Sequence, residues 1–432
     1  MDKKEKATER IVIVGGGVAG LALASELGKK LGKVGRPTIT LVDRGPLHVW
    51  KPMLHEFAAG TADPHDRGIA FPVQARRRGF AFVPGEMTTF DPTLGTLTLK
   101  FPGDTGEAQD LRKVSYDTLV LATGSRANDF GTPGVSEHCH YVDDLRNALV
   151  FNEALRREIG KSVFAHEPIS IAIVGGGATG VELAAEVRKL VQVGASFGAS
   201  DLEARLQVTL IESNGRILKA MDERSAMRAA KRLEDVGVRI MCNQRVVSVD
   251  ADGLDLSDGQ RIAANLKVWA AGVRSNLALQ ENQFSNLTRS GQLVVDHFLH
   301  VKGLQGVFAL GDCSALQATG SSDALPPTAQ VASQQASYLA RAIIQRYKGR
   351  EFTEPFRFID RGSLVSLGAY GSFGLLPEKG FAPSILISGL WASALHPLFY
   401  RAHTLRILGP ALGLVGWVRD GLTSLLRPRI KF

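Results

Sequence analysis

The sequence predicts an α/β protein with two Rossmann-like domains, followed by an amphipathic C-terminal segment. Three observations predict it. The stretch "IVIVGGGVAGLALASEL" at 11–27 has a second copy, "IAIVGGGATGVELAAEV", at 171–187. Each copy reads as a buried parallel strand, a glycine turn and the small-residue start of a helix. From residue 381 onward the chain turns strongly apolar and then basic.

A length of 432 residues accommodates two or three domains. The apolar share of 44% is enough for a substantial core. Cys139, Cys242 and Cys313 form no C-x-x-C pair, which argues against a disulfide framework or structural zinc and fits a reducing compartment. The net charge is +8, and the last 32 residues hold Arg401, Arg406, Arg419, Arg427, Arg429 and Lys431 against Asp420 alone. Such a tail suits nucleic acid, anionic lipid or solubility alone. The N-terminal "MDKKEKATER" lacks the apolar stretch of a secretory signal and is too acidic for a mitochondrial transit peptide.

The elements follow in order. "RIVIV" (10–14) is the first strand, Gly15, Gly17 and Gly20 make the turn, and a helix runs to about Leu31. "PTITLVD" (37–43) is the next strand, with Asp43 at its tip. "YDTLVLATGSRANDFGTPG" (116–134) is a buried strand and then a crossing into the second domain. "ISIAIV" (169–174), the turn Gly175, Gly177, Gly180, a helix to about Val191 and "LQVTLIE" (206–212) repeat the plan, with Glu212 at the tip. "LKVWAAGVRSN" (266–276) is the crossing back. "GVFALGDCSAL" (306–316) is a strand ending at Gly311–Asp312, and "PPTAQVASQQASYLARAII" (326–344) becomes a helix.

A lone G-x-G-x-x-G says little, but strand, turn, helix and acid together define a dinucleotide site. The first glycine permits the tight turn, the second lets the backbone approach a pyrophosphate, and the third lets helix pack on strand. The helix N-terminus offers free N–H groups to the phosphates. The alternative is a tight turn without a ligand. Two such turns suggest a flavin and a nicotinamide cofactor, between which hydride passes. Asp43 and Glu212 would each accept from an adenosine ribose, and Glu212 would repel a 2′-phosphate, favouring NADH over NADPH; Arg216 nearby weakens that preference. The Gly311–Asp312 strand end suits a flavin's ribitol and so places the flavin on the first unit. A helix N-cap is the other reading of Asp312.

At this point the chain resembles the type II NADH:quinone oxidoreductases, single-chain two-dinucleotide flavoproteins of glutathione-reductase-like architecture. The resemblance rests on "VGGGVAG" (14–20), "HVWKPMLHEFAAGT" (48–61), "LVLATGSRAND" (119–129), "VGGGATGVELAAEV" (174–187), "VWAAGVR" (268–274), "VFALGDCSAL" (307–316), "PPTAQVASQQ" (326–335) and the tail "FYRAHTLRILG…LLRPRIKF". It implies FAD on the first unit, with Lys51, Pro52, Thr123, Gly124, Gly311, Asp312 and Ala329 around it. It implies NADH on the second, with Gly272 beside it, and electron delivery to a membrane quinone without proton pumping. Glu182 matches a glutamate near the flavin ring that steers nicotinamide or relays protons. Gln330 and Gln334 match glutamines at the quinone opening. The implied place is the cytoplasmic side of a bacterial inner membrane, held peripherally by surface lipids, with no nucleic acid involved. The implied division is 1–125 and 276–375 for FAD, 126–275 for NADH and 376–432 for the membrane. The chain departs from relatives in "KKLGKVGRP" (29–37), in "RRR" (76–78) and in Ala336, where many have glycine and an opening would be narrowed.

The residues admit plainer readings as well. Glu182 lies in the first turn of its helix, where the dipole favours a carboxylate. Gln330 and Gln334 share a helix face as i, i+4, which is a solvated face or a pair of amides for a quinone carbonyl. His138, Cys139 and His140 are adjacent and therefore poorly placed for one metal ion. "RRR" reads as a solvated face. Residues 381–400 lack Asp, Glu, Lys and Arg, but Pro383, Gly389 and Pro397 favour a buried or interfacial hairpin over a membrane span. In 411–426, Leu414, Val418, Leu422 and Leu425 form a stripe with Arg419, Asp420 and Thr423 opposite. Trp417 and the terminal cations suit a lipid surface, and a core-packing helix or homodimer contact would use the same stripe. A sulfide:quinone oxidoreductase, a low-turnover flavin sensor and a ferredoxin reductase are the rival functions.

Overall fold

The structure is a computed structural model that describes residues 8–32, 37–101, 111–196, 201–275, 286–318, 323–376, 385–388 and 390–426. Its first sheet has five parallel strands in the order Val307–Ala309, Thr118–Leu121, Arg10–Val14, Thr38–Asp43, Ala81–Pro84. The central strand pairs on both edges, Ile11 with Ile39 and with Thr118. That double pairing explains the unbroken apolar run, since neither face nor edge meets water. The second sheet repeats the design with Ile169–Val174 inside the order His140–Tyr141, Leu266–Trp269, Ile169–Val174, Leu206–Ile211, Val238–Met241.

The helix after the first turn is Val18–Leu31, and it packs on Ala329–Tyr347. One hydrophobic core joins residues 11–122 to 293–356, although some 170 positions of chain intervene. A second core unites the other sheet with its helices Leu145–Ala165 and Ala178–Ser196. It also takes in Leu54, Phe57 and Ala58 from the short helix Leu54–Ala59, which comes from the first half of the chain. Each large aliphatic side chain buried this way contributes roughly 1.5–3 kcal/mol. The helix after the second turn continues to Ser196, past its expected end near Val191; the following 197–200 lie outside the described residues.

The chain leaves the first sheet through Ser125–Ala127 and returns through Val273–Ser275, and these two segments pair antiparallel, Arg126 opposite Arg274. Both crossings therefore run through one two-stranded ribbon. Antiparallel sheets of 86–91, 96–100 and 111–115 and of 246–249, 253–256 and 261–263 cap the two halves.

The C-terminal region corrects one expectation. Residues 385–388 are the third strand of an antiparallel sheet with 372–376, and a helix, Leu390–Leu408, follows and runs through Pro397. The hairpin lies later than expected, between this helix and Pro410–Leu426, turned by Gly409 at φ 88°. Pro383 and Gly389 lie outside the described residues. Among the described residues no helix is long and apolar enough to cross a membrane.

Candidate active site

The two glycine turns are built alike. Gly15 and Gly175 adopt φ 102° and 113°, a region that strains any residue with a Cβ. A Cβ on Gly15 would lie 2.2 Å from the Ala122 carbonyl oxygen, and one on Gly20 would lie 1.8 Å from that of Gly15. In the second turn a Cβ on Gly180 would lie 2.1 Å from the Gly175 oxygen. The middle glycines differ: a Cβ on Gly17 or Gly177 would meet nothing within 4 Å. First and third glycines are thus required by protein packing, whereas the second faces open space at a helix N-terminus. That arrangement fits a pyrophosphate, which needs close backbone approach and unpaired N–H groups.

Each turn is also tied to its acid. Asp43 accepts from Gly16 N–H at 2.6 Å and from Gly45 N–H at 2.8 Å. Burial raises the Asp43 carboxyl above the usual carboxylate range, against the pull of those two amides. Glu212 accepts from Gly176 N–H at 2.7 Å and from Asn214 N–H at 2.7 Å. Arg216 points away from this carboxylate and donates to the carbonyls of Leu218, Lys219 and Met221. Its guanidinium is engaged, so the reservation about a 2′-phosphate loses weight.

Three segments converge at Asp312. Its carboxylate accepts from Ser125 Oγ at 2.6 Å, and Lys51 Nζ lies 3.9 Å away. Lys51 also donates to the Ser125 carbonyl and hydroxyl at 2.9 Å. Pro52 sets the short 3₁₀ turn Lys51–Met53 that carries this lysine. Asp312 lies within the 3₁₀ turn Gly311–Cys313 and caps no helix; the cap of Ala329–Tyr347 is Thr328, which accepts from Val331 N–H. The Gly311 N–H donates to Gln335 at 2.6 Å. Gly124, at φ 73°, borders open space, as Gly17 does. Thr123 precedes it, and Ala329 opens the helix, half-buried. Gly272, at φ 67°, sits under the Phe130 ring, which a Cβ would meet at 2.5 Å.

Glu182 is buried where the second glycine helix meets Leu54–Ala59 and the strand Ser363–Ser366. Its carboxyl accepts from Ser366 N–H at 3.0 Å and meets His55 Nδ1 at 3.2 Å. Burial pushes it up to about 8, opposed by the Ser366 amide and helped by Glu56 and Glu186. Burial likewise pushes Glu56 up to about 7. Glu186 is held by Lys189 at 3.2 Å. A carboxyl that keeps its proton near neutral pH at the junction of these three elements has the properties of an acid–base group.

Residues 9–336 match the family model described as pyridine nucleotide-disulphide oxidoreductase. The chain is 34% identical to the type II NADH:quinone oxidoreductase of Haemophilus influenzae, over 98% of this chain and 99% of that protein. The chain belongs to the type II NADH:quinone oxidoreductase family. Its fold is shared with NDH2 from Plasmodium falciparum, solved in complex with NADH, at a TM-score of 0.82, 18% identity and coverage of 98% and 100%. A sulfide:quinone oxidoreductase from Aquifex aeolicus is similar at a TM-score of 0.72, 17% identity and coverage of 97% and 95%. At such identities both likenesses are of fold alone.

For a type II NADH:quinone oxidoreductase the paired glutamines are placed differently from expectation. Gln330 accepts from Arg361 N–H at 2.6 Å and donates to the Gly362 carbonyl at 3.1 Å. Gln334 donates to the Ile359 carbonyl at 2.8 Å and accepts from its N–H at 3.0 Å. Amides expected to meet a quinone carbonyl are instead engaged with the main chain of 359–362, whose polar groups they satisfy. Ala336 is another correction: it is fully buried in the first core and borders no opening.

The cysteines of this type II oxidoreductase are unpaired. Cys313 is buried and its thiol points at the Leu121 and Leu310 carbonyls at 3.4 and 3.2 Å. Burial pushes Cys139 up to about 12, so its thiolate is suppressed. His140 packs edge-on against Phe151 at 5.6 Å. Sequence reasoning missed Ser125, His55 and Gln335. Gln335 carried a signal: it stands among Val331, Ala332, Ala336 and Leu339 on the buried stripe of its helix, where an amide needs a fixed partner.

Proposed function

We propose that this chain is a non-proton-pumping NADH:quinone oxidoreductase with FAD on the first glycine turn and NADH on the second. When bound, FAD supplies the redox chemistry, taking hydride from NADH and passing the electrons to a quinone. The chain's own residues bind, orient and manage protons. The first turn (Gly15, Gly17, Gly20, Asp43) holds a pyrophosphate. Lys51, Pro52, Thr123, Gly124, Gly311, Asp312 and Ala329 frame the flavin side. Gly175, Gly177, Gly180, Glu212 and Gly272 hold the nicotinamide dinucleotide, and Glu212 selects NADH. Glu182 keeps a proton beside the reacting rings. Gln330 and Gln334 fix the segment 359–362, which forms the edge of the quinone entrance. In this reading residues 1–125 and 276–375 form the FAD unit, 126–275 the NADH unit and 376–432 the membrane-associating segment.

The terminal helix supports peripheral membrane attachment, which we place on the cytoplasmic face of a bacterial inner membrane. Its polar side is turned inward, where Asp420 pairs with Arg67 at 2.7 Å. Leu414, Val415, Val418 and Leu422 are each more than half exposed. Arg401 lies over the Trp417 ring at 5.4 Å, so this ring is held against the protein as well as near the surface. Arg427, Arg429, Lys431 and the side chains of Thr423 and Leu425 lie outside the described residues. An apolar face on an anchored helix suits lipid; a homodimer contact is the competing use of the same face.

The observation that carries the proposal is the doubled, acid-tethered glycine turn with an open middle glycine, in a chain 34% identical to a protein of that activity. The experiment is anaerobic stopped-flow absorbance: NADH should bleach the bound flavin rapidly, and quinone should restore it. Protein that stays colourless after reconstitution with FAD, or flavin that quinone fails to reoxidise, overturns it. Replacing Cys139 and Cys313 by Ser should leave this turnover intact, unlike that of a sulfur-handling enzyme.

A further inference from the structure

The two glycine turns differ in one hydrogen bond. In each, the peptide after the first glycine donates its N–H to the acid. In the second turn the carbonyl of that residue, Gly176, accepts from Leu218 N–H at 2.7 Å, so the turn is closed by its own neighbouring loop. In the first turn the equivalent carbonyl, of Gly16, meets His48 Nδ1 at 2.8 Å. His48 Nε2 in turn meets His403 Nε2 at 2.8 Å. His403 belongs to the helix Leu390–Leu408. Both rings are buried, at 3% and 6% exposure, and Trp50 packs on His403 with ring centroids 4.2 Å apart.

The directions of these bonds follow from the atoms. A carbonyl only accepts, so His48 Nδ1 carries a proton. Its Nε2 is then the acceptor, and His403 Nε2 must donate. The chain therefore runs one way, from the terminal helix through two neutral imidazoles to the turn. Burial supports those neutral forms by lowering the affinity of both rings for a second proton. Gly16 is held through both of its flanking peptides, by Asp43 on its N–H and by His48 on its carbonyl oxygen. Its orientation sets that of Gly17, the glycine facing the open cradle.

We propose that His48 and His403 are positioning residues for the flavin: the C-terminal helix clamps the first phosphate-binding turn, so FAD retention depends on that helix being seated, whereas NADH binding does not. This rests on the reading that the first turn takes FAD.

The test uses full-length apoprotein titrated with FAD by flavin fluorescence and, separately, with NADH. His403→Leu and His48→Leu should weaken FAD binding by about tenfold or more, as expected for a buried acceptor left unpaired, with NADH affinity unchanged. His403→Gln, whose amide can donate in place of Nε2, should stay within about threefold of the parent. FAD affinity unchanged in both leucine variants, or NADH affinity falling in parallel, overturns the inference. If the leucine variants do not fold, His403→Asn, too short to reach His48, takes their place against His403→Gln; equal FAD affinity in those two overturns it. Failure of the parent to bind FAD at all would instead overturn the assignment of the first turn.

Discussion

Glu182 and His55 meet at 3.2 Å in the interior, one from the helix that follows the second glycine turn and the other from a short helix of the first half of the chain. The contact joins the two halves at a titratable pair. Glu182, pushed up to about 8, is protonated at neutral pH in the folded chain and ionised in the unfolded chain, where its value is near 4.5. Its contribution to stability is complete below about 4.5 and is lost as pH rises through about 8. Glu182→Gln should therefore flatten the fall in melting temperature between those limits, and differential scanning fluorimetry across pH reads it. Parallel profiles for parent and variant would count against a proton held there.

Glu212 is tied to the Gly176 amide, and Arg216, four positions on, is occupied by three carbonyls. NADH should be preferred over NADPH, because a 2′-phosphate would face an uncompensated carboxylate. Glu212→Gln keeps an acceptor for the turn and removes the charge. The ratio of kcat/KM for NADH to that for NADPH should fall by about tenfold or more, consistent with roughly 1.4 kcal/mol or more of lost repulsion. An unchanged ratio would show that the selection is made elsewhere.

Gln330 holds both the Arg361 amide and the Gly362 carbonyl. Gln330→Ala should free this segment and slow reoxidation of the flavin by quinone, by about tenfold, while reduction by NADH stays within about twofold. Stopped-flow separation of the half-reactions distinguishes these. Equal loss in both would place the effect on the flavin site rather than at the quinone entrance.

Val415 and Val418 are exposed on a helix whose opposite side is pinned by Asp420 and Arg67. Val415→Glu with Val418→Glu should reduce co-sedimentation with anionic vesicles by at least severalfold, since apolar area is lost and like charge is added. Turnover with a water-soluble quinone analogue should persist. Vesicle binding equal to the parent's would remove the terminal helix from the membrane contact.

The two Rossmann-like sheets were legible in the sequence because their signals are local. Glycines at fixed offsets, β-branched runs and acids at strand tips depend on neighbours a few residues away. The partners of Gln330 and Gln334 were not legible, since 359–362 has no regular pattern and reaches them only through the tertiary fold. The same holds for His55 with Glu182 and for His48 with His403, pairs separated by 127 and 355 positions. Pro397 misled for a physical reason. A proline removes one intrahelical hydrogen bond without necessarily ending the helix, which can kink instead, and the helix Leu390–Leu408 continues through it.

The ribbon formed by Ser125–Ala127 and Val273–Ser275 gives the middle of the chain a single doorway. Entry and exit lie side by side, so the intervening stretch resembles a cassette plugged into a host. Excising it would leave loose ends already one strand spacing apart, and a few linker residues would rejoin them. Exchange of such a cassette between related chains, matched to the Leu54–Ala59 helix that packs into its core, is thus a geometrically simple route to a changed pyridine nucleotide preference.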